Sequence, residues 1–485
     1  MWKTLAMTAL LVTALQVKTA AQDVKAVIAD ASRALGVAGL SSIAYSGIAA
    51  IGNFGQSRTI SFGLASTTIQ NYSHAIDFTQ PAARITGLAV PPAPAGAPVP
   101  QPRVFDQTIA PGDGWLRQLE IWVSPWGFLR GAEASNPTLR SQRIGDVSYK
   151  VVTWSPAVKA PSGQPYKVAG YINPEGLIDR VETWVEHPIV GDMHVETIYS
   201  NYRDFGGLKA PTRIARRQVG METYVAAITN VRSNPVDLAR LMASPPESRR
   251  EGGAFELAAE VPGAAAGASA VSSEKLADGV YRITGGYVAL AVEFRDHVVV
   301  LEGGQNEARG LAIIAETKRL IPDKRIKYVV NTHPHFDHAA GLAPFAAEGA
   351  IVLTDDNNKY FMEQALRSPR TLVGDVLAKS RRKPTVEGVV EKMVLADQTR
   401  TIELHHLQKL AHSDGMLVAY LPKERILFTA DFNLPAPGQG VDPSIATLVE
   451  NIERLQLDFD RVVMVHPPNP DRPVTKADLF SRRDP

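Results

Sequence analysis

The sequence predicts an α/β protein in two parts: a mainly antiparallel β N-terminal domain over 22–244, and a domain over 275–485 in which short strands alternate with helices. Three observations carry this prediction. Segments such as Arg180-Val181-Glu182-Thr183-Trp184-Val185 alternate polar and apolar residues with the period of a strand that has one wet face. Residues 245–274 are rich in Pro, Gly, Ala and Ser without periodicity, as a linker is. Beyond them, one apolar run after another ends in a histidine or an aspartate.

Taken in order, the chain opens with Met1-Trp2-Lys3, an apolar core from Leu5 to Val17, and the small residues Thr19-Ala20-Ala21. This is the pattern of an export signal over 1–21, cleaved after Ala21, and its core is too short for a membrane span of about 20 apolar residues. No second apolar stretch of that length follows, so no integral membrane span is expected. Asp23 to Leu35 places Val24, Val27, Ile28 and Ala31 at helical spacing. A meander of strands then includes His194-Val195-Glu196-Thr197-Ile198-Tyr199, with turns at Asn173-Pro174-Glu175-Gly176 and Asp204-Phe205-Gly206-Gly207. Pro91 to Pro102 holds six prolines and reads as a long loop.

In the C-terminal part, strands are expected at Val280–Ile283, Ala289–Phe294, Val298–Leu301 and Ile326–Val330. A helix is expected over Glu307–Leu320, with Leu311, Ile314 and Ala315 on one face. Met362 to Pro384 carries Arg367, Arg370, Lys379, Arg381, Arg382 and Lys383, a basic insert read as a solvated helical face able to attract an anionic substrate.

Only 11 histidines occur in the 485 residues, yet His333-Pro334-His335-Phe336-Asp337-His338 packs three of them and an aspartate behind the strand Ile326–Val330. A turn leaving a strand aims His333 and His335 at one point, and Asp337 and His338 fall past the bend toward a second. Imidazole with carboxylate suits Zn²⁺, with Fe or Mn able to take the same set, and disfavours Mg²⁺ and Ca²⁺. A lone histidine would be better read as a core or turn residue; the grouping is what argues for metal. His412, Asp431 and His466 each lie beside a short apolar strand and supply further ligands. His405 and His406 sit together on one strand, so only one can face the site, and Thr332, Asp355, Asp356 and Asn357 are candidates to hydrogen-bond the ligands.

The ordered series His333-x-His335-x-Asp337-His338, His412, Asp431 and His466 resembles the metal-binding motifs of the metallo-β-lactamase superfamily over residues 275–485. The resemblance implies an αββα sandwich with the site along one edge. It also implies one metal held by His333, His335 and His412, a second by Asp337, His338 and His466, and Asp431 as the bridge. Val465 and Pro467 beside the last histidine, and Ala411 before the third motif, depart from the family's glycines. The chain has no cysteine, which excludes the Cys-containing zinc sites of two β-lactamase subclasses, and the third subclass lacks a bridging aspartate. The pattern is therefore more similar to glyoxalase, lactonase and arylsulfatase types of hydrolase. The stretch from Tyr199 through Ile214 is loosely similar to the half-barrels of periplasmic lipoprotein carriers.

These readings predict an exported hydrolase with two Zn²⁺ per chain, periplasmic or secreted. Two cations about 3.5 to 4 Å apart share a water and lower its pKa toward neutrality, so a bridging hydroxide is the expected nucleophile on an ester, lactone, thioester or sulfate ester. Asp337 is the expected catalytic residue, orienting that hydroxide and carrying a proton to the leaving group. The alternatives are a β-lactamase acting on β-lactam amides, or a non-hydrolytic binding protein with a vestigial or redox metal site. A formal net charge of +1 and no long Lys/Arg run imply a small-molecule substrate rather than nucleic acid. Composition does not define an oligomeric state.

Overall fold

The computed structural model describes residues 24–52, 54–60, 67–92, 100–243, 271–434 and 443–481. The leader at 1–21, most of the linker and the middle of the proline-rich loop lie outside the described residues. The chain divides into two compact units, and the division is not contiguous. The first comprises Met1–Asn53, Leu64–Val185 and Met193–Leu257; the second takes Phe54–Gly63 and Glu186–Asp192 together with Ala258–Pro485.

The first unit is built on one eleven-stranded sheet. Its order runs from Arg103–Ile109 through Ala82–Val90, Thr67–Asp77 and Ser42–Ile51 to Met221–Ser233, then back along the chain through Lys209–Gln218, Gly191–Asp204, Ile178–His187, Val168–Ile172 and Val147–Trp154 to Thr138–Ile144. Most neighbours are also neighbours in sequence, as an antiparallel meander requires; the exception is Ser42–Ile51, which pairs antiparallel with Met221–Ser233. The alternation read at 180–185 and 194–199 is borne out in the burial of Ile178–His187 and Gly191–Asp204. The expected helix occupies 24–35. A cavity of about 1420 Å³ in this unit is lined in part by Trp115, Trp122, Trp154 and Trp184.

The second unit is built on two sheets packed over a shared core. A seven-stranded sheet runs in the order Ser272–Ala277, Val280–Thr284, Ala289–Glu293, His297–Leu301, Arg325–Val330, Ile351–Asp355, Thr385–Val389, its last four strands parallel. A six-stranded sheet runs Lys392–Ala396, Thr401–His406, Leu417–Leu421, Ile426–Thr429, Arg461–Met464, Val474–Thr475. One apolar cluster joins Val292, Leu301, Val330 and Leu353 of the first to Leu404, Val418, Leu427 and Val463 of the second. Strands covered on both faces read as continuous apolar runs, which is why His297–Leu301 is buried throughout. Leu342–Glu348 and Asp356–Arg367 pack on the first sheet, and Pro443–Leu455 presses Ile445, Leu448, Val449 and Ile452 into the shared core. The first strand begins at Ser272, within what the sequence suggested was linker.

The helix Glu307–Leu320 has the expected bounds, capped by the Asn306 side chain and with Glu307 and Lys318-Arg319 at the ends its dipole favours. Its inner face differs from the expected one. Leu311 is 41% exposed, while Ile313, Ile314 and Thr317 are buried. Arg309, fully buried, explains the rotation: its guanidinium donates to the carbonyls of Thr284 and Tyr287 at 3.2 and 2.9 Å, binding the helix to the segment that carries Tyr287. Among the described residues no helix is long and apolar enough to cross a membrane.

Candidate metal centre

The strand Arg325–Val330 carries the chain to His333, and His335 immediately precedes the short helix Phe336–Ala339, which holds Asp337 and His338. This bend separates the motif into two directions. His333, His335 and His338 are almost wholly buried and Asp337 is 8% exposed. His412 follows Thr401–His406 on the loop before Leu417–Leu421, Asp431 follows Ile426–Thr429, and His466 follows Arg461–Met464.

The structure gathers all seven predicted residues into two groups that share one carboxylate. In one, donor atoms of His333, His335, His412 and Asp431 lie within 4.8 Å of one another; in the other, those of Asp337, His338, Asp431 and His466 do. Asp431 Oδ2 is 3.0 Å from His412 Nε2 and 3.6 Å from His333 Nε2. Its Oδ1 is 2.9 Å from the Nε2 atoms of both His338 and His466. One oxygen thus faces each group. The imidazole nitrogens crowd as well, His412 against His333 at 3.2 Å and His466 against His338 at 3.3 Å.

Two orphaned atoms test whether this donor set fits cations. Asp431 Oδ1 is buried without a hydrogen bond despite its two close imidazoles, and His335 Nδ1 is buried without a partner. Buried polar atoms are rarely left so. Converging lone pairs of imidazole and carboxylate are what a transition-metal ion requires, so the residues fit. Burial, with His338 close by, pushes the His333 pKa well below the ordinary imidazole value. Burial, reinforced by His412, lowers His335 to about 4, leaving it neutral as a ligand must be. For Asp431 burial opposes ionisation, but His333 and His338 outweigh it and hold the carboxyl far below its usual range. His338 moves the other way: burial favours its neutral form, yet Glu302 and Asp431 raise its pKa.

Four surrounding residues were not anticipated. Glu302, fully buried, accepts from Thr332 Oγ1 at 2.8 Å and lies 3.2 Å from His338 Nδ1. It occupies the tip of His297–Leu301, the position that delivers ligands elsewhere, so the pattern could have flagged it. Tyr287 donates to Asp337 Oδ2 at 2.9 Å, and its ring lies 4.3 Å from that of His466. Burial and Asp337 raise its pKa, keeping the phenol a donor. Gln56 donates to Asp337 Oδ1 at 2.6 Å, and the Ser57 carbonyl lies 3.2 Å from His335 Nε2. Nothing in the sequence around these two marks them.

Of the anticipated supporting residues, Thr332 takes its place, 3.3 Å from His333 Nδ1. His406 instead pairs with Asp355 at 2.6 Å, and Asp355 also caps Asp356–Arg367. His405 pairs with Glu403 at 3.0 Å, and Asn357 donates to the Asp414 carbonyl. Neither His405 nor His406 joins the donor groups. In the basic insert, Arg370 is buried rather than solvated, bonded to Asp375 and to the carbonyls of Pro188 and Ile189.

Residues 284–466 match the sequence model of the Metallo-beta-lactamase superfamily. The C-terminal domain has the metallo-β-lactamase fold. That match supports a metal-dependent hydrolase. Solved structures similar to this domain include a metallo-beta-lactamase from Pontibacter korlensis, 17% identical, covering 44% of this chain and 97% of that one with a TM-score of 0.35. A metallo-beta-lactamase from Hirschia baltica is 21% identical over 44% of this chain and 96% of its own, with a TM-score of 0.33. The DIM-1 metallo-beta-lactamase is 17% identical over 44% and 95%, with a TM-score of 0.34. A comparison with curated proteins finds no match.

Proposed function

We propose that this protein is an exported dinuclear metallohydrolase of esters, lactones, thioesters or sulfate esters. The observation that carries the reading is the Asp431 carboxylate, which presents one oxygen to each of two donor groups. His333, His335 and His412 would hold one ion, Asp337, His338 and His466 the other, with Asp431 common to both. Zn²⁺ suits these nitrogen and oxygen donors best. Ions bound there supply an activated water near neutral pH and polarise the substrate oxygen.

The chain's own residues do the rest. Asp337 accepts the proton of the attacking water as its oxygen bonds to the substrate's electrophilic atom. It returns that proton to the leaving oxygen or sulfur as the old bond breaks. Tyr287, hydrogen-bonded to the same carboxylate, fixes its orientation from one side and Gln56 from the other. The apolar leader supports export as part of this reading.

The test pairs a metal count with a substrate panel of esters, lactones, thioesters, sulfates and a chromogenic β-lactam. Two zinc ions per chain are expected, with turnover of at least one ester-type substrate above that of the β-lactam. Asp337→Ala should reduce kcat by roughly 100-fold or more, in the range of general acid–base catalysis, without unfolding the protein. Wild-type kcat in that variant would remove Asp337 from the chemistry, and faster β-lactam hydrolysis would reverse the substrate order.

A further inference from the structure

The seven residues 54–60 lie, in sequence, between the strands Ser42–Ile51 and Thr67–Asp77, yet they belong to the second unit. There they follow the metal motif almost residue by residue. The Phe54 ring meets Phe336 edge-on at 4.9 Å. The Gly55 carbonyl accepts from the Phe336 N–H at 3.0 Å, Gln56 reaches Asp337, and the Ser57 carbonyl faces His335. Arg58 and Thr59 then grip Asp414, two residues past His412, at 2.7 and 2.5 Å. Gly55 is required for the fit: its φ is +88°, and a Cβ there would sit 2.0 Å from the Phe336 ring.

We infer that this strap is a working part of the metal centre: Gln56 is a positioning residue for Asp337, and the Ser57 carbonyl sets the tautomer of His335. The inference rests on the dinuclear reading and deepens it. A carbonyl acceptor at Nε2 holds the proton there and leaves the Nδ1 lone pair free, and Nδ1 is the buried atom without a partner. Gln56 and Tyr287 take opposite oxygens of Asp337, which fixes the carboxylate plane. Two groups are thus oriented by the strap, one in each donor set.

The experiment measures zinc per full-length chain against a graded series of chelator concentrations. Gln56→Glu keeps the side chain's size but turns a donor toward Asp337 into a second carboxylate. It should weaken one of the two ions by about 10- to 100-fold, the usual effect of losing an outer hydrogen bond, and spare the other. Gly55→Val, which cannot keep the strap seated, should weaken both. Wild-type retention in Gln56→Glu overturns the inference while leaving the dinuclear reading intact. Equal loss of both ions in Gln56→Glu, with a lowered Tm, overturns it too, because that marks general loosening. A wild-type chain that binds no zinc refutes the dinuclear reading and the inference with it.

Discussion

Glu302 shows how much of the centre depends on residues that bear no ligand. Its φ of +76° lies in the left-handed region, which costs a non-glycine residue about 1–3 kcal/mol and persists only where surroundings hold it. Here the backbone N–H is tied to the Val330 carbonyl, and the carboxylate sits against Thr332 and His338. An acceptor at His338 Nδ1 keeps the proton on that nitrogen and points Nε2 at Asp431. Glu302→Gln preserves the shape but weakens the acceptor, so zinc held through His338 should be released at about 10-fold lower chelator concentration. Unchanged retention in the same titration would reduce Glu302 to a packing role. The seven candidate donor positions were legible because four share one motif behind Ile326–Val330 and the other three lie beside short apolar strands. Glu302 also follows an apolar strand, but a single carboxylate after Leu301 carries no signature without its histidine in view.

At the scale of elements, periodicity and caps located what local chemistry governs. The helix Glu307–Leu320 kept its expected ends because Asn306 caps it, but its buried face was misread because Arg309 is drawn inward by three carbonyl groups. Basic residues are ordinarily solvated, and Arg370 was misread for the same reason. In the first unit, the strand Thr67–Asp77 brings His74 opposite Tyr45 of Ser42–Ile51, whose hydroxyl lies 2.6 Å from His74 Nδ1. Burial, helped by Arg216, lowers the His74 pKa from 6.5 to about 3. Between those values the unfolded chain binds a proton that the folded strand refuses, so stability rises with pH and falls on acidification. The slope contributed is at most about 1.4 kcal/mol per pH unit. His74→Asn should flatten the pH dependence of the first unit's denaturation midpoint across that window; an unaltered slope would assign acid sensitivity to other groups.

For the whole molecule, the decisive fact is that the second unit is not a contiguous piece of chain. Phe54 and His187, from its two short N-terminal segments, both meet Phe336, between His335 and Asp337. The second segment is held further by Asp192, which accepts from Thr371 and Leu372. A fragment beginning at 271 would lack both segments, expose Phe336 and leave Arg370 facing no carbonyl at Pro188 or Ile189. Loss of such buried contacts costs several kcal/mol in sum, on the order of a domain's whole stability. The fragment should therefore show a lower Tm and bind less zinc than the full chain; equal values for both would show the segments to be dispensable. Sequence could not disclose this, since linker composition marks where chains part and carries no information about where they rejoin. The Gln56 to Asp337 hydrogen bond spans 281 residues and that of Arg58 to Asp414 spans 356. Closing loops of such length costs chain entropy that the contacts must offset. If those two segments seat the motif, tight ion binding reports that residues 54–60 and 186–192 have found their places, and not only that the motif itself has formed.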